Sequence, residues 1–114
     1  MGAETLKKIA GPAFVVATSE DIYTPPAAPI YTNIRQIHLV NQDFVSRTVA
    51  LYVGATGAEV AGTEILPTKT LVAGEVYDMY FSPGLKLLST EFLVGVASDA
   101  TAIVITVMGG NGVV

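Results

Sequence analysis

One histidine, ten carboxylates and no cysteine set narrow limits on the triad and metal chemistry this chain can do. With a single imidazole, His38, no metal site that needs two histidines and no paired histidine relay can form within one chain. Without cysteine, thiolate nucleophiles, disulfides and cysteine-ligated zinc are excluded as well. His38 reads as a strand residue on a partly exposed face, close to the polar turn 41–43; a threefold assembly would bring three copies of it together. The carboxylates (Glu4, Glu20, Asp21, Asp43, Glu59, Glu64, Glu75, Asp78, Glu91 and Asp99) fall mostly in turn-rich segments, where acids serve solubility and backbone capping. No two of them occupy adjacent inward strand positions, as a glycosidase requires, and no D-x-[DN]-x-[DN]-G calcium loop occurs. Gly54, Gly57 and Gly62 match neither phosphate-loop pattern, and no serine sits in a G-x-S-x-G elbow. The expectation is a chain with no catalytic residues, no cofactor and no metal.

Asp78 stands apart because it interrupts an aromatic strand between Tyr77 and Met79. It shares a face with Val76 and Tyr80, so it is expected either in solvent or in an interface, facing a positive partner such as Arg35 or Arg47 of a neighbouring chain. The tyrosines at 23, 31, 52, 77 and 80 raise a second reading, a platform on which sugar rings stack, although no tryptophan supports it.

The elements that must position these residues are short strands. Residues 3–10 suit two helical turns, with Leu6 and Ile9 on one side, and are expected to act as an arm that orders on docking. Phe14 to Thr18 suits a first strand. The segment 24–29 holds three of the six prolines and must be extended, as a stiff connector or edge crossing. Strands are then expected over 34–41, 47–53, 60–66, 70–72, 76–81, 85–88, 92–97 and 101–108, with turns at 41–43, 67–69, 82–84 and 98–100. Gly62 marks a bend, and Gly109 to Gly112 should be mobile before Val113 and Val114. Turn signals every 8 to 12 residues describe an all-β domain, a single β-sandwich or jelly roll of about eight short antiparallel strands. The expected organisation is an N-terminal arm over 1–11, a β-sandwich over 12–109 and a flexible tail over 110–114.

Composition indicates how such a domain works. Of 114 residues, 51% are apolar and 14% charged, against about 25% charged in an ordinary soluble domain. A domain of this size buries only about two thirds of its unfolded surface. The apolar surplus therefore belongs in an interface, and obligate assembly is expected. The interface candidates are Leu6, Ile9, Phe14, Tyr52, Asp78, Tyr80, Val113 and Val114. Nucleic acid is not an expected partner, because the net charge is −4 and the six basic residues form no stripe. No apolar run approaches the roughly 20 residues of a membrane span, so no membrane association is expected. A signal peptide is not expected either, since Gly11-Pro12 breaks the apolar stretch after Lys7-Lys8.

The stretch IRQIHLVNQDFVSRTVALYVGATGAEVAGTEIL, with LVAGEVYDMY and FLVGVASDATAIVITVMG after it, resembles small β-sandwich proteins encoded among the virion structural genes of tailed bacteriophages. The likeness spans about Ile34 to Gly109 and rests on fold features. It implies a non-enzymatic virion protein, foremost a capsid decoration (cement) protein on the capsid surface. Such a protein binds and stabilises the major capsid protein lattice and self-associates, with a trimer as one arrangement. The alternatives are a small tail or baseplate accessory, a carbohydrate-binding module for host attachment and, from a different class, a hydrolase.

Overall fold

A computed structural model describes residues 7–18, 20–54 and 63–113. Among the described residues there are eight strands: β1 (Lys7–Phe14), β2 (Glu20–Tyr23), β3 (Ile30–Asn41), β4 (Arg47–Gly54), β5 (Glu64–Leu71), β6 (Val76–Leu87), β7 (Phe92–Ala97) and β8 (Ile103–Val113). They form two four-stranded antiparallel sheets, ordered β1-β8-β3-β6 and β2-β7-β4-β5. Every successive pair of strands crosses from one sheet to the other except β4 and β5, which pair with each other. This is the eight-stranded, two-sheet jelly roll.

The crossings can be followed atom by atom. At the end of β1, the Val15 amide donates to the Ile103 carbonyl of the first sheet at 2.8 Å, while the Val16 carbonyl accepts from the Ala97 amide of the second at 2.9 Å. The proline segment 24–29 likewise carries the chain from β2 in one sheet to β3 in the other, the connector that its fixed φ angles favour.

Period-two alternation decides what lies inside. Ile37 and Leu39 of β3, Ile103, Ile105 and Val107 of β8, Val49 and Leu51 of β4, and Leu93 of β7 are at most 1% exposed and meet between the sheets. Both Ile34 and Ile37 point inward, three apart. The alternation survives because Arg35 is an extra residue in the ladder: Ile34 pairs Leu85 and Gly109, and the next paired residue, Gln36, meets Tyr80 and Met108.

Several expectations are corrected, each for a backbone reason. Residues 7–10 are strand, not helix: Lys7 pairs Gly109 and Lys8 pairs Met108, so β8 gains a ladder partner on its open side and Ile9 packs at the rim of the core. The strand expected over 14–18 ends at Phe14, where the chain changes sheets, and β2 was not foreseen because its four residues, EDIY, carry no periodic signal. Pro67 does not end β5, and Ser82-Pro83-Gly84 does not end β6. Both strands are sheet edges, where a residue without an N–H is tolerated, and each takes up its proline in a register shift. The glycine-rich run 109–112 is not a free tail; it pairs residue for residue with Tyr31 to Ile34. Gly109 is required there, because a Cβ would stand 2.3 Å from the Asn33 carbonyl oxygen. The expected strand over 60–62 and the Gly62 bend lie outside the described residues, as do Leu6 and Val114.

The packing predicts a sharp contrast. Leu51→Ala, at 0% exposure, should lower unfolding free energy by about 2–5 kcal/mol in chemical denaturation, whereas Phe44→Ala, at 94% exposure, should change it by less than about 0.5 kcal/mol.

Candidate functional site

Jelly-roll connectivity collects the loops β1–β2, β3–β4, β5–β6 and β7–β8 at one end of the sandwich. Asn41, the last residue of β3, ties two of them together, β3–β4 and β5–β6, although it has no exposure to water. Its Nδ2 donates to the carbonyls of Leu71 (2.9 Å), Val45 (3.0 Å) and Val72 (3.2 Å), and its Oδ1 accepts from the Asp43 amide at 3.0 Å. Its backbone amide donates to Glu75 O and its carbonyl accepts from the Gly74 amide. Beside it, Arg47 binds Asp43 at 2.7–2.8 Å and reaches Asp99 at 3.6 Å, while Gln42 Nε2 donates to Thr101 O at 2.9 Å. Polar groups thus fix the geometry of this end.

What the frame holds outward is apolar. Phe44 is 94% exposed, and Val45, Val72 and Val76 are each about half exposed. The apolar surface continues onto the outer face of the first sheet. Phe14 pairs Val104, Val104 pairs Val40, and Val40 pairs Val76, which makes one row across all four strands. Paired residues share a face, and the neighbours of Val104 and Val40 are core residues, so this row points out.

Two strand positions further along the same face lies the chain's one carboxylate–imidazole pair. His38 Nδ1 and Asp78 Oδ1 are 2.5 Å apart, and Gln36 Nε2 donates to Asp78 at 3.1 Å. Asp78 therefore finds its partner within its own sheet, on the strand register His38↔Asp78. The hydrogen bond from His38, then that from Gln36, holds its carboxyl below the ordinary value despite partial desolvation. Asp43 is lowered too, first by the Phe44 amide, at 2.7 Å, and then by Arg47. A carboxylate and an imidazole are two members of a nucleophilic triad, and Thr106 is the register neighbour of His38 on β8. The row lies on an open sheet face, with His38 40% and Asp78 28% exposed, and its geometry ties β3 to β6. Among the described residues no three histidine, aspartate or glutamate side chains converge as metal ligands.

The remaining candidates disperse. Tyr80 is 73% exposed beside Gln36 on the first sheet, whereas Tyr52 lies on the outer side of the second. Tyr77 packs on the core, Tyr31 lies under the Lys86 ammonium at 4.5 Å, and Tyr23 hydrogen-bonds Thr32 at 2.8 Å. The tyrosines do not gather into one platform. Ile9 is half-buried in β1, and the backbone of Val113 pairs with Ile30. Phe44, Val45, Val72 and Leu88 were missed by sequence reasoning; the signal for the first was a phenylalanine set directly after three polar turn residues.

At the opposite end, the β2–β3 connector and the β6–β7 turn enclose an apolar groove of about 370 Å³ lined by Ala28, Pro29, Ile30, Leu88, Ser89 and Thr90. Leu88 is 44% exposed there, and Glu91 caps the turn by accepting from its amide at 2.9 Å. The part-buried chain Tyr23–Thr32–Asn111 braces this end: Thr32 donates to Asn111 at 2.9 Å, so the Tyr23 hydroxyl donates to Thr32.

No family profile matches the chain, and no curated protein matches it in sequence. In fold it is similar to a solved structure from the Bacillus endospore appendages described as a family of disulfide-linked pili. The TM-score is 0.53 with 16% identity, covering 99% of this chain and 92% of that one.

Two outcomes follow from this geometry. Asn41→Leu removes a donor from the buried Leu71 carbonyl, and the loss of stability in denaturant should be about 1–3 kcal/mol, against less than about 0.5 kcal/mol for Gln42→Ala at the surface. Because the Asp43 and Asp78 carboxyls are lowered on folding, their contribution is present above the unfolded value of 3.8 and is lost as pH falls through the folded values. Thermal melts should show the wild-type midpoint dropping between pH 5 and pH 2, and Asp43→Asn should flatten part of that drop.

Proposed function

We propose that this chain is a non-enzymatic structural subunit of a repeating surface assembly, and that it holds its place by docking apolar side chains against neighbouring proteins. The observation that carries this reading is the exposed set Phe44, Val45, Val72 and Val76, continued by Phe14 and Val104, on a frame that hydrogen bonds hold rigid. An apolar patch of this kind on a polar, rigid frame is the usual mark of a surface that binds another protein. A phenylalanine 94% in water gains on the order of 2 kcal/mol when covered.

The finer placement is a decoration protein on a virion shell, bound to the major capsid protein, as the sequence resemblance over Ile34 to Gly109 suggests. On such a lattice each contact repeats many times, and repetition turns weak docking into lasting attachment. The second reading is an appendage subunit, favoured by fold likeness along nearly the whole chain to a protein of endospore pili. These 114 residues contain no cysteine, so an appendage built from them would hold together without the disulfide links that name that family.

Shells lacking the protein should bind added wild-type chain to saturation and resist heat better once coated. Phe44→Ser with Val72→Ser should weaken attachment at least tenfold while the melting curve of the free protein stays unchanged. Undiminished attachment of the double variant would remove the patch from the account, and absence of saturable binding to shells would remove the virion placement.

A further inference from the structure

We propose that copies of this chain join head to tail, with Phe44 of one copy inserting into the groove between Pro29 and Leu88 of the next; the proposal rests on the structural reading above and names its partner as a second copy. Three observations carry it. Phe44 is a knob: at 94% exposure its ring makes almost no contact with its own chain, yet its backbone is pinned by Asp43 and by the Asn41 network. The groove is a matching hole: it measures about 370 Å³, its walls are mainly apolar, and an apolar cavity of only about 150 Å³ accepts a benzene ring. Finally, knob and hole lie at opposite ends of the same strand. β3 begins at Ile30, in the groove wall, and ends at Asn41, the root of the knob, 11 residues later; this is roughly 36 Å of a molecule 46 Å long.

Complementary sites on opposite ends of a 46 Å molecule cannot satisfy each other within one chain. Two copies lying antiparallel side by side can exchange them reciprocally, whereas end-to-end contact is heterologous, and unless the rotation closes a ring it continues as an open row of subunits. The area argues for the same kind of assembly. Phe44, Val45, Val72 and Val76 offer roughly 350 Å² of apolar surface, about half of what each partner contributes to a standard stable interface. An isolated pair is then weak, and growth is concentration-dependent, which suits a subunit that is placed by an array. Charge does not oppose the contact at its centre: Arg47 is neutralised by Asp43, and the groove lining carries no charged residue.

Sedimentation velocity of the full chain from micromolar to millimolar concentration, with negative-stain images at the upper end, tests the proposal through two variants. Phe44→Ser removes the knob and leaves the groove; Leu88→Lys blocks the groove and leaves the knob. Each alone should associate at least tenfold more weakly than wild type, with an unchanged thermal melt. Mixed in equal amounts they should form dimers and nothing larger, since one intact knob meets one intact groove. Four results overturn the proposal: Leu88→Lys associating as wild type while Phe44→Ser does not, which means knob-to-knob pairing; a wild type that stops at dimers, which means reciprocal antiparallel pairing; both variants associating as wild type; or a wild type that stays monomeric throughout. In the last two cases saturable attachment to shells would still uphold the structural reading, so the two failures are separable.

Discussion

The carboxamide of Asn41 is the constraint on which the presentable surface of this molecule depends. A fully buried amide must find partners, and here its donors and acceptor go to backbone groups of the β3–β4 and β5–β6 loops. Loops that would otherwise move are fixed to one another, and fixing them costs no apolar contact in the core below. The consequence is entropic. Side chains that those loops hold outward meet a partner already ordered, and pre-organisation is what lets a small contact area bind at all.

The sandwich beneath imposes a complementary logic. Once Ile37, Leu39, Ile103 and Ile105 are committed to the inside, strict alternation sends Val40, Val104 and their register partners to the outside, whatever their polarity. On that outer face one row of valines and a phenylalanine is followed by the His38–Asp78 row and then by Gln36 and Tyr80. The polar row ties β6, an edge strand, to β3 and does structural work without a cleft around it. The apolar row has no such internal use, which is why it reads as a surface meant to be covered.

Much of this was legible in the chain itself. Alternation located β3, β4, β7 and most of β8, and the scarcity of charge pointed to apolar surface outside the core. The proline segment declared itself as a stiff, extended connector, and the fold uses it to cross between sheets. What the sequence concealed was non-local. Residues 7–10 and 109–112 have weak local preferences, and only pairing across the sheet, Lys7 with Gly109 and Gly112 with Tyr31, makes them strands. Pro67 and Pro83 look like stops until the topology shows them on sheet edges. Asn41 resembles an ordinary turn residue, because burial by loops distant in sequence has no local signature. The partner of Asp78 was sought on another chain for the same reason: its register with His38 is a fact of topology, and neither residue alone announces it.

Backbone amide NMR over a concentration series tests most directly whether the molecule meets its neighbours through its two ends. The account predicts that rising concentration shifts and broadens two separate groups of resonances, one around Phe44, Val45 and Val72 and the other around Ala28, Ile30 and Leu88, while His38 and Asp78 in mid-sheet stay in place. Perturbations centred on the mid-sheet face, or on one end alone, would contradict it.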